Sequence, residues 1–529
     1  MIHRVKVFPG TYLDSVLQMG GTRALSQVEG VDWAAAAMAT PANVDTLVGE
    51  GFDRGSLDGA SADDLFVAVR AADDDAADRA VAAGEEVLFA TRNAGSSGAV
   101  AGERPVRTLG EALDRQAGTN VALVSVPGDY AALEAHKALT AGLHVLLFSD
   151  NVSVADEVEL KDRATDLGLL VMGPGAGTAM LGGTGLGFAN AVRAADREDA
   201  GGGGAGGGGA RVGVVAAAGT GAQEAMSLLD RWGATVTHVI GLGGRDLSDA
   251  VDGRMAKLAV AALRDDPGTD AILLVSKPPS ERVARAVVDV ARAGDTPFVA
   301  AMVGLDGPGY GVPVLPTLEQ GVVAALAAVG LEPPDVAAGL EGAAATACEA
   351  LAPARTLVRG LFSGGTLCYE SLVILTRLLG PVWSNTPLDH AYQVPAPDGS
   401  HVCLDLGEEE YTKGRPHPMI DPEARVEWIC NEGARPDVAV VLIDVVLGHG
   451  SHPDPAGELA PACEEIRAGG EGPQVVAYVL GTDHDPQGFA GQVERMEAAG
   501  CIVTPTAARA SLAAAAIALR RPSVVTTRL

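Results

Sequence analysis

The sequence predicts an α/β chain, with a small ferredoxin-like module at the N-terminus followed by parallel, doubly wound sheets. Two observations carry this. Hydrophobic residues make up 47% of the 529 residues but aromatics only 4%, so the apolar mass is Ala, Val, Leu and Ile, the filling of parallel strands covered by helices on both faces. Short buried strands also alternate with helical segments along most of the chain. A chain this long holds three or four domains, each able to bury its own core.

The elements follow in order. Val5–Phe8, Val31–Met38, Asp64–Val69 and Glu86–Leu88 read as strands, with helices over Tyr12–Val28 and Asp74–Ala83. That β-α-β-β-α-β order suggests the ferredoxin-like module, bounded at 1–98. Strands at Asn120–Pro127, His144–Phe148 and Leu169–Met172 alternate with helices in a second domain, 104–200. The run GGGGAGGGG at 201–209 reads as a flexible loop or linker. A third domain, 210–335, has strands Val212–Ala216, Val236–Leu242, Ala271–Ser276 and Phe298–Val303. A fourth, 354–529, has strands Leu357–Phe362, Val402–Leu406, Val438–Val446, Val475–Leu480 and Cys501–Val503. An Ala/Pro-rich connector from Gly330 to Pro353 joins the last two.

No apolar run approaches the ~20 residues of a membrane span, and the N-terminus shows no signal-peptide pattern, so a cytoplasmic location is expected. The net charge of −30 disfavours nucleic acid and anionic membranes as partners, because its field repels both. The six cysteines are scattered without a CxxC pair, the pattern of reduced, mostly buried thiols rather than a zinc site or disulfides. An anionic substrate must therefore be held by local donors.

Two turns supply such donors. Ala218-Gly219-Thr220-Gly221 follows one strand, and Ser363-Gly364-Gly365-Thr366 follows another. Each opens a helix and places a Glu four residues after the Thr, at Glu224 and Glu370. Glycine lets an oxyanion approach the backbone, a helix start presents unpaired N–H groups and partial positive charge, and Thr adds a hydroxyl. Phosphate binding is expected at Gly219, Thr220, Gly221, Gly364, Gly365 and Thr366. The plainer alternative is that each Gly-Thr caps its helix and each Glu completes a capping-box-like arrangement.

The segment from about 106 to 330 resembles the α-subunit of succinyl-CoA synthetase. The resemblance lies in Arg107–Ala112, Val124-Ser125-Val126-Pro127, Gly173-Pro174 and the two Gly-Thr turns. It implies a Rossmann-like domain of the CoA-binding type and two flavodoxin-like domains of the ligase type. Two departures stand out. The glycine-rich strand-turn-helix that opens that family's CoA site has no counterpart, so CoA is not expected as a cofactor. The loop after Val303 holds Asp306 and Tyr310 but no histidine, so no phosphohistidine is expected.

Almost the whole chain resembles the FdrA family. The matching strings include Tyr12-Leu13-Asp14-Ser15-Val16, Leu147-Phe148-Ser149-Asp150-Asn151-Val152 and Gly187-Phe188-Ala189-Asn190. Further matches are Gly243-Gly244-Arg245-Asp246-Leu247-Ser248, Ser276-Lys277-Pro278-Pro279, Gly360–Thr366, Gly414–Asp421 and Gly450–Pro455. Where that family has Asp-Cys after Gly-Pro, this chain has Gly175-Ala176. The resemblance implies a subunit of an oxamate carbamoyltransferase-type enzyme. Such an enzyme converts oxalurate, or a similar N-carbamoyl compound, and phosphate into carbamoyl phosphate and oxamate, and works with two further subunits. An acyl-CoA synthetase and a non-catalytic scaffold or regulatory subunit are the rival readings.

Four side chains are candidates for the chemistry. Arg245 and Lys277 follow strands at the carboxyl edge, where open α/β sheets bind ligands. Arg415 and His417 lie in a loop held by prolines and are suited to bind an anion or move a proton. Three of them have a plainer alternative: a surface ion pair for Arg245, an exposed amine for Lys277, packing for His417. Asp405 with Glu408–Glu410 reads as a solvated acidic face or as a partner for Arg415. The loop Asp444…His449-Gly450-Ser451-His452-Pro453-Asp454 lacks helical ligand spacing, so no metal is expected, and it reads as a loop that shapes the site or an interface. Without a nucleophile elbow, hydrolase chemistry is rejected.

Overall fold

The computed structural model describes all residues except 12, 14, 58, 63, 90–105, 194–209, 306–308, 413–415, 469, 471 and 529. For residues 15, 16, 19 and 42 it describes the backbone alone. The run 201–209, Asp306 and Arg415 therefore lie outside the described residues. The chain divides into two units: Met1–Val106, and the part from Arg107 onward apart from Gly414–Pro416.

The first unit holds β1 (Ile2–Phe8), α1 (Ser15–Ser26), β2 (Val31–Met38), α2 (Pro41–Gly49), β3 (Leu65–Ala71) and α3 (Asp74–Leu88). The strands form an antiparallel sheet in the order β1-β3-β2. Leu25 of α1 and Ala77, Ala80 and Leu88 of α3 pack with Val67 and Val69 of the central strand. Leu47 of α2, with Phe52 and Leu57, packs with Phe66 and Ala68. The strand expected at Glu86–Leu88 is instead the last turn of α3. Asp73 caps that helix through Ala76 N–H, and Ala76, Ala80, Gly84 and Leu88 form one buried stripe along it. The helical period runs on without a break through Glu85 and Glu86, both good helix formers, which outweighs the short Val-Leu run.

The second unit opens with α4 (Leu109–Arg115), β4 (Val121–Val124), α5 (Gly128–Thr140), β5 (His144–Leu147), α6 (Val154–Leu167) and β6 (Val171–Met172). The three strands form a small parallel sheet, β4-β5-β6. The hairpin β7 (Thr178–Leu181) and β8 (Thr184–Gly187) does not join it. β7 pairs antiparallel with β10 (Thr235–Gly241) and extends the next sheet, so residues 178–187 belong with the 210–335 strands rather than within 104–200. Buried Ala179 and Met180 make that edge pairing favourable.

The next sheet also contains β9 (Arg211–Ala217), β11 (Ala271–Ser276), β12 (Phe298–Met302) and β13 (Val314–Leu315), in the order β13-β12-β11-β9-β10-β7-β8. Its helices are α7 (Gly219–Arg231), α8 (Arg254–Asp265), α9 (Glu281–Ala291) and α10 (Leu318–Ala328). The stretch expected to be a connector contains α11 (Leu340–Ala350), whose Leu340, Ala344 and Ala347 are buried. The last sheet is parallel throughout: β15 (Val382–Trp383), β16 (His401–Asp405), β14 (Leu357–Phe362), β17 (Val438–Val446), β18 (Gln474–Leu480) and β19 (Ile502–Thr504), in that spatial order. Around it lie α12 (Gly365–Leu379), the short α13 (Glu409–Thr412), α14 (Glu423–Gly433), α15 (Pro455–Arg467), α16 (Phe489–Ala498) and α17 (Ala507–Ala518). The parallel strands of the first large sheet, and those of the second once the short edge strand β15 is set aside, have the flavodoxin-like order 2-1-3-4-5. The switch points therefore fall at the carboxyl ends of β9 and β14, just before α7 and α12.

The two Glu residues do not close capping boxes on their own helices. Glu370 of α12 accepts the N–H of Leu318, the first residue of α10, at 2.7 Å. Glu224 of α7 accepts the Tyr478 hydroxyl and the N–H of Ala507, the first residue of α17, the latter at 3.4 Å. Each flavodoxin-like half thus satisfies a helix start of the other, and the Arg509–Glu319 pair at 2.6 Å crosses the same interface. Burial pushes Glu224 up to about 7, helped by nearby Glu319 and opposed by the Tyr478 and Ala507 hydrogen bonds and by Arg231. Burial also pushes Glu370 up to about 8, with Glu224 and Glu319 adding to it and the Leu318 N–H opposing. Between the ordinary value of 4.5 and these values, the folded chain holds protons that the unfolded chain has lost. Stability should therefore fall as pH rises from 4.5 to about 8 and level off beyond. In denaturant titrations at several pH values, Glu224→Gln or Glu370→Gln should flatten that slope by up to about 1.4 kcal/mol per pH unit. A slope identical to wild type in both variants would count against protonated carboxyls at this interface.

Candidate functional site

A cavity of about 480 Å³ lies at the carboxyl ends of β9 and β14. Its floor is made by the first residues of α7 and α12. The helix starts touch: Thr366 N–H donates to Thr220 Oγ1 at 3.1 Å, and a Cβ added at Gly221 would stand 2.9 Å from Thr366 Cγ2. Neither helix has a side-chain cap, since the residues before them are Ala218 and Gly364. The N–H groups of Gly219, Thr220 and Gly365 have no acceptor among the described residues. By contrast, Thr317 and Thr506 cap α10 and α17 with their own side chains. Free N–H groups at two adjoining helix starts make a concentrated positive end.

Gly221 and Gly364 serve the contact between the helices rather than an anion. Gly221 leaves room for Thr366. A Cβ at Gly364 would meet Thr220 Cγ2 at 2.9 Å, and Gly364 N–H is already taken by Asp444 Oδ2 at 2.8 Å. Asp444 also accepts the N–H and hydroxyl of Ser363, at 2.8 and 3.0 Å, and pairs with buried Arg425 at 2.9 Å. This carboxylate fills one anion position permanently, as a part of the fold.

Lys277 lines the cavity just after β11. Its Nζ sits 5.1 Å from the Tyr369 ring centroid and makes no ion pair among the described residues. Arg245 behaves differently. Its guanidinium donates to buried Glu157 at 2.9 Å and to Val152 O at 2.8 Å, and it does not line the cavity. Glu157 also binds Lys161, which pairs with Asp246 at 2.8 Å. Arg245 therefore belongs to a structural charge network tying α6 to the loop after β10, and its expected role as an anion clamp is corrected. The neighbouring Gly243 and Gly244 do reach the cavity. Gly243 has φ +80°, and a Cβ there would strike Pro174 O at 2.6 Å, so glycine is required for this close backbone approach.

His417 lines the cavity wall, so an imidazole does share a cavity with both helix starts, although the loop after Val303 carries none. Its Nδ1 accepts Met419 N–H at 3.2 Å, which places the proton of the neutral ring on Nε2. Burial pushes its pKa down to about 4, with Arg425 contributing and Asp444 opposing. It is thus a neutral Nε2–H donor near pH 7, a poor base, and better suited to holding an anion than to moving a proton.

Asp405 is not on a solvated face, for it is only 3% exposed and lines the cavity beside Gly365. Only the Glu408–Glu410 run is exposed. Phe148 and Phe188 build the apolar wall, with ring centroids 5.7 Å apart. Both sit in strings that carried the family resemblance, and two of only nine Phe residues at a glycine-rich cavity is the signal that could have marked them. Phe188 belongs to a strap that fastens the two large sheets. Gln223 donates to Phe188 O at 2.6 Å, Asn190 to Leu447 O at 3.0 Å and His449 N–H to Ala189 O at 3.1 Å. Ala191 N–H donates to Asp485 at 2.7 Å. The His449–Asp454 loop is part of this fastening, and no metal-holding cluster occurs among the described residues. None of the helices among them is long and apolar enough to cross a membrane.

Comparison with known proteins bears on the whole chain. It is 36% identical over 531 residues to the uncharacterized protein YahF of Escherichia coli (strain K12), covering 97% of this chain and 98% of that one. The chain belongs to the YahF family. Within this member, residues 1–105 match the AllF heavy metal-associated domain and residues 361–517 match the CoA-ligase family. Among solved structures, a dinucleotide-forming acetyl-coenzyme A synthetase 1 of Ca. Korarchaeum cryptofilum is 16% identical over 81% of this chain and 88% of its own, with a TM-score of 0.28. An ATP citrate lyase of Methanosaeta concilii is 17% identical over 43% of this chain and 38% of its own, with a TM-score of 0.30. The first unit does not fit the metal in its domain's name. All six cysteines lie at Cys348 or beyond, and its single histidine, His3, is stacked on Phe52 with ring centroids 4.5 Å apart. A soft metal would find no thiolate there.

Proposed function

We propose that this YahF-family chain handles an acyl-phosphate chemistry of the carbamoyl-transfer type, joining phosphate to a carbamoyl group taken from an N-carbamoyl compound such as oxalurate. The observation that carries the phosphate part is the pair of adjoining, uncapped helix starts in one cavity with a lysine that makes no ion pair among the described residues. Gly219, Thr220 and Gly365 offer N–H groups, Lys277 offers charge, and His417 offers a neutral donor. These donors fit phosphate and the oxyanion that develops as its oxygen attacks the carbonyl carbon. Catalysis is then positioning and electrostatic stabilisation, without a covalent enzyme intermediate. The carbamoyl part rests on the FdrA resemblance. That resemblance also implies a chain that works with two further subunits.

A second reading, an acyl-CoA synthetase, is favoured by the CoA-ligase match of residues 361–517. The two share the phosphate cradle and differ in the acyl acceptor. Co-expression with the neighbouring gene products, followed by assay of carbamoyl phosphate formation from oxalurate and phosphate, separates them. Product should form without CoA, and Lys277→Ala should raise the apparent KM for phosphate about tenfold or more, on the scale of one lost charge-assisted hydrogen bond. Arg245→Ala should leave that KM unchanged. Product only when CoA is supplied would favour the synthetase, and a wild-type KM in Lys277→Ala would remove the lysine from the site.

A further inference from the structure

The cavity contains a buried acid that neither the phosphate cradle nor the fold accounts for. Asp405 ends β16, and its Oδ1 accepts Gly407 N–H at 3.0 Å. Its Oδ2 has no hydrogen-bond partner among the described residues. That oxygen lies only 2.4 Å from where a Cβ on Gly365 would stand, so it abuts the first residue of α12. An anion drawn to the Gly219 and Gly365 N–H groups must therefore settle beside this carboxyl. An ionised Asp405 would repel it at close range in a partly dehydrated space, whereas a protonated one would donate to it. Asp444 shows the contrast: the same helix start holds a carboxylate there that is fully satisfied by N–H groups and Arg425.

We propose that Asp405 is a proton-carrying residue of this cavity, so that an oxyanion at the starts of α7 and α12 binds together with one proton on the Asp405 carboxyl. This rests on the phosphate-site reading above and deepens it: the ligand is an oxyanion accepting a hydrogen bond from a carboxylic acid. The groups that face Asp405 from its surroundings are Lys277 after β11, Asp444 on β17, Glu408 in its own loop and the Cys368 thiol on α12. His417 faces it across Gly407, whose added Cβ would meet His417 Nε2 at 2.6 Å and Asp405 Oδ1 at 3.2 Å. Burial pushes Asp405 up to about 7, with Glu408 and Asp444 reinforcing this and the Gly407 N–H and Lys277 opposing. The proton is thus exchangeable near neutral pH.

Inorganic sulfate is the clean probe, because its own charge does not change between pH 5.5 and 8.5. Titrated calorimetrically into the full chain, sulfate should bind at pH 6 and weaken by about tenfold per pH unit above the Asp405 pKa. At pH 8, binding measured in two buffers of different ionisation enthalpy should show uptake of about one proton per sulfate. Asp405→Asn, whose amide still donates, should bind sulfate with little pH dependence and no proton uptake. Sulfate binding by the wild-type chain that is independent of pH, or without proton uptake, overturns the role of Asp405 and leaves the anion site standing. No binding of sulfate or phosphate at any pH overturns the anion site itself and this inference with it.

Discussion

Gly219→Val is expected to weaken phosphate binding by about a hundredfold while leaving the fold intact, the scale of losing an oxyanion donor in a closed site. Gly219 is the first residue of α7, and a Cβ added there meets nothing within 4 Å, so the new side chain projects into the open cavity. Valine ranks above glycine in helix propensity, so the replacement carries no helix penalty. Gly365→Val is a less clean test than the matching turns suggest, because its Cβ would lie 2.4 Å from Asp405 Oδ2 and displace the acid as well as the anion. At Gly221 the Cβ would strike Thr366 and Val275, at 2.9 and 3.1 Å, and pry the helices apart. Calorimetric titration of phosphate, paired with a circular-dichroism melt, reads both quantities. A folded Gly219→Val chain that binds phosphate as tightly as wild type would remove the α7 start from the site.

The large sheets were legible because a parallel strand buried on both faces is a continuous apolar run. Val438–Val446 is the clearest case, buried along its whole length, and the Gly-Thr turns marked where α7 and α12 begin. What the sequence hid is pairing over distance. Arg245 and Lys277 both follow strands at the carboxyl edge, and nothing local says that the first is neutralised by Glu157, 88 residues away, while the second makes no ion pair among the described residues. Glu224 and Glu370 each stand four residues after a Thr in the first turns of a helix, yet each caps a helix of the other half, a choice made by domain packing. Asp405 resembled its solvated neighbours Glu408–Glu410 because acidic runs are usually exposed, and only the β16 register with β14, pairing Asp405 with Phe362, turns it inward. The hairpin at 178–187 was missed for a related reason: its strands are four residues each, too short for periodicity to show which sheet they join.

Asp444→Ala should cost about 3–5 kcal/mol of stability, the range for breaking a buried ion pair from one side. Asp444 is the only polar residue of β17, and the Arg425 side chain that it pairs with is 2% exposed. Arg425 also donates to Leu361 O and Asp444 O, at 3.0 and 2.6 Å, so the guanidinium is held in place and cannot swing to water when the carboxylate is lost. Removal would leave that charge unpaired and would orphan the N–H groups of Ser363 and Gly364 at the start of α12. Asn is no remedy, because one side-chain position would turn a donor toward N–H donors. The double variant Asp444→Leu with Arg425→Met removes both charges together and should recover part of the loss, since apolar groups of similar volume often replace a buried pair at little cost. Urea unfolding at pH 7 measures all three, and a loss below about 1 kcal/mol in Asp444→Ala would mean that the pair is not what holds the α12 start in place.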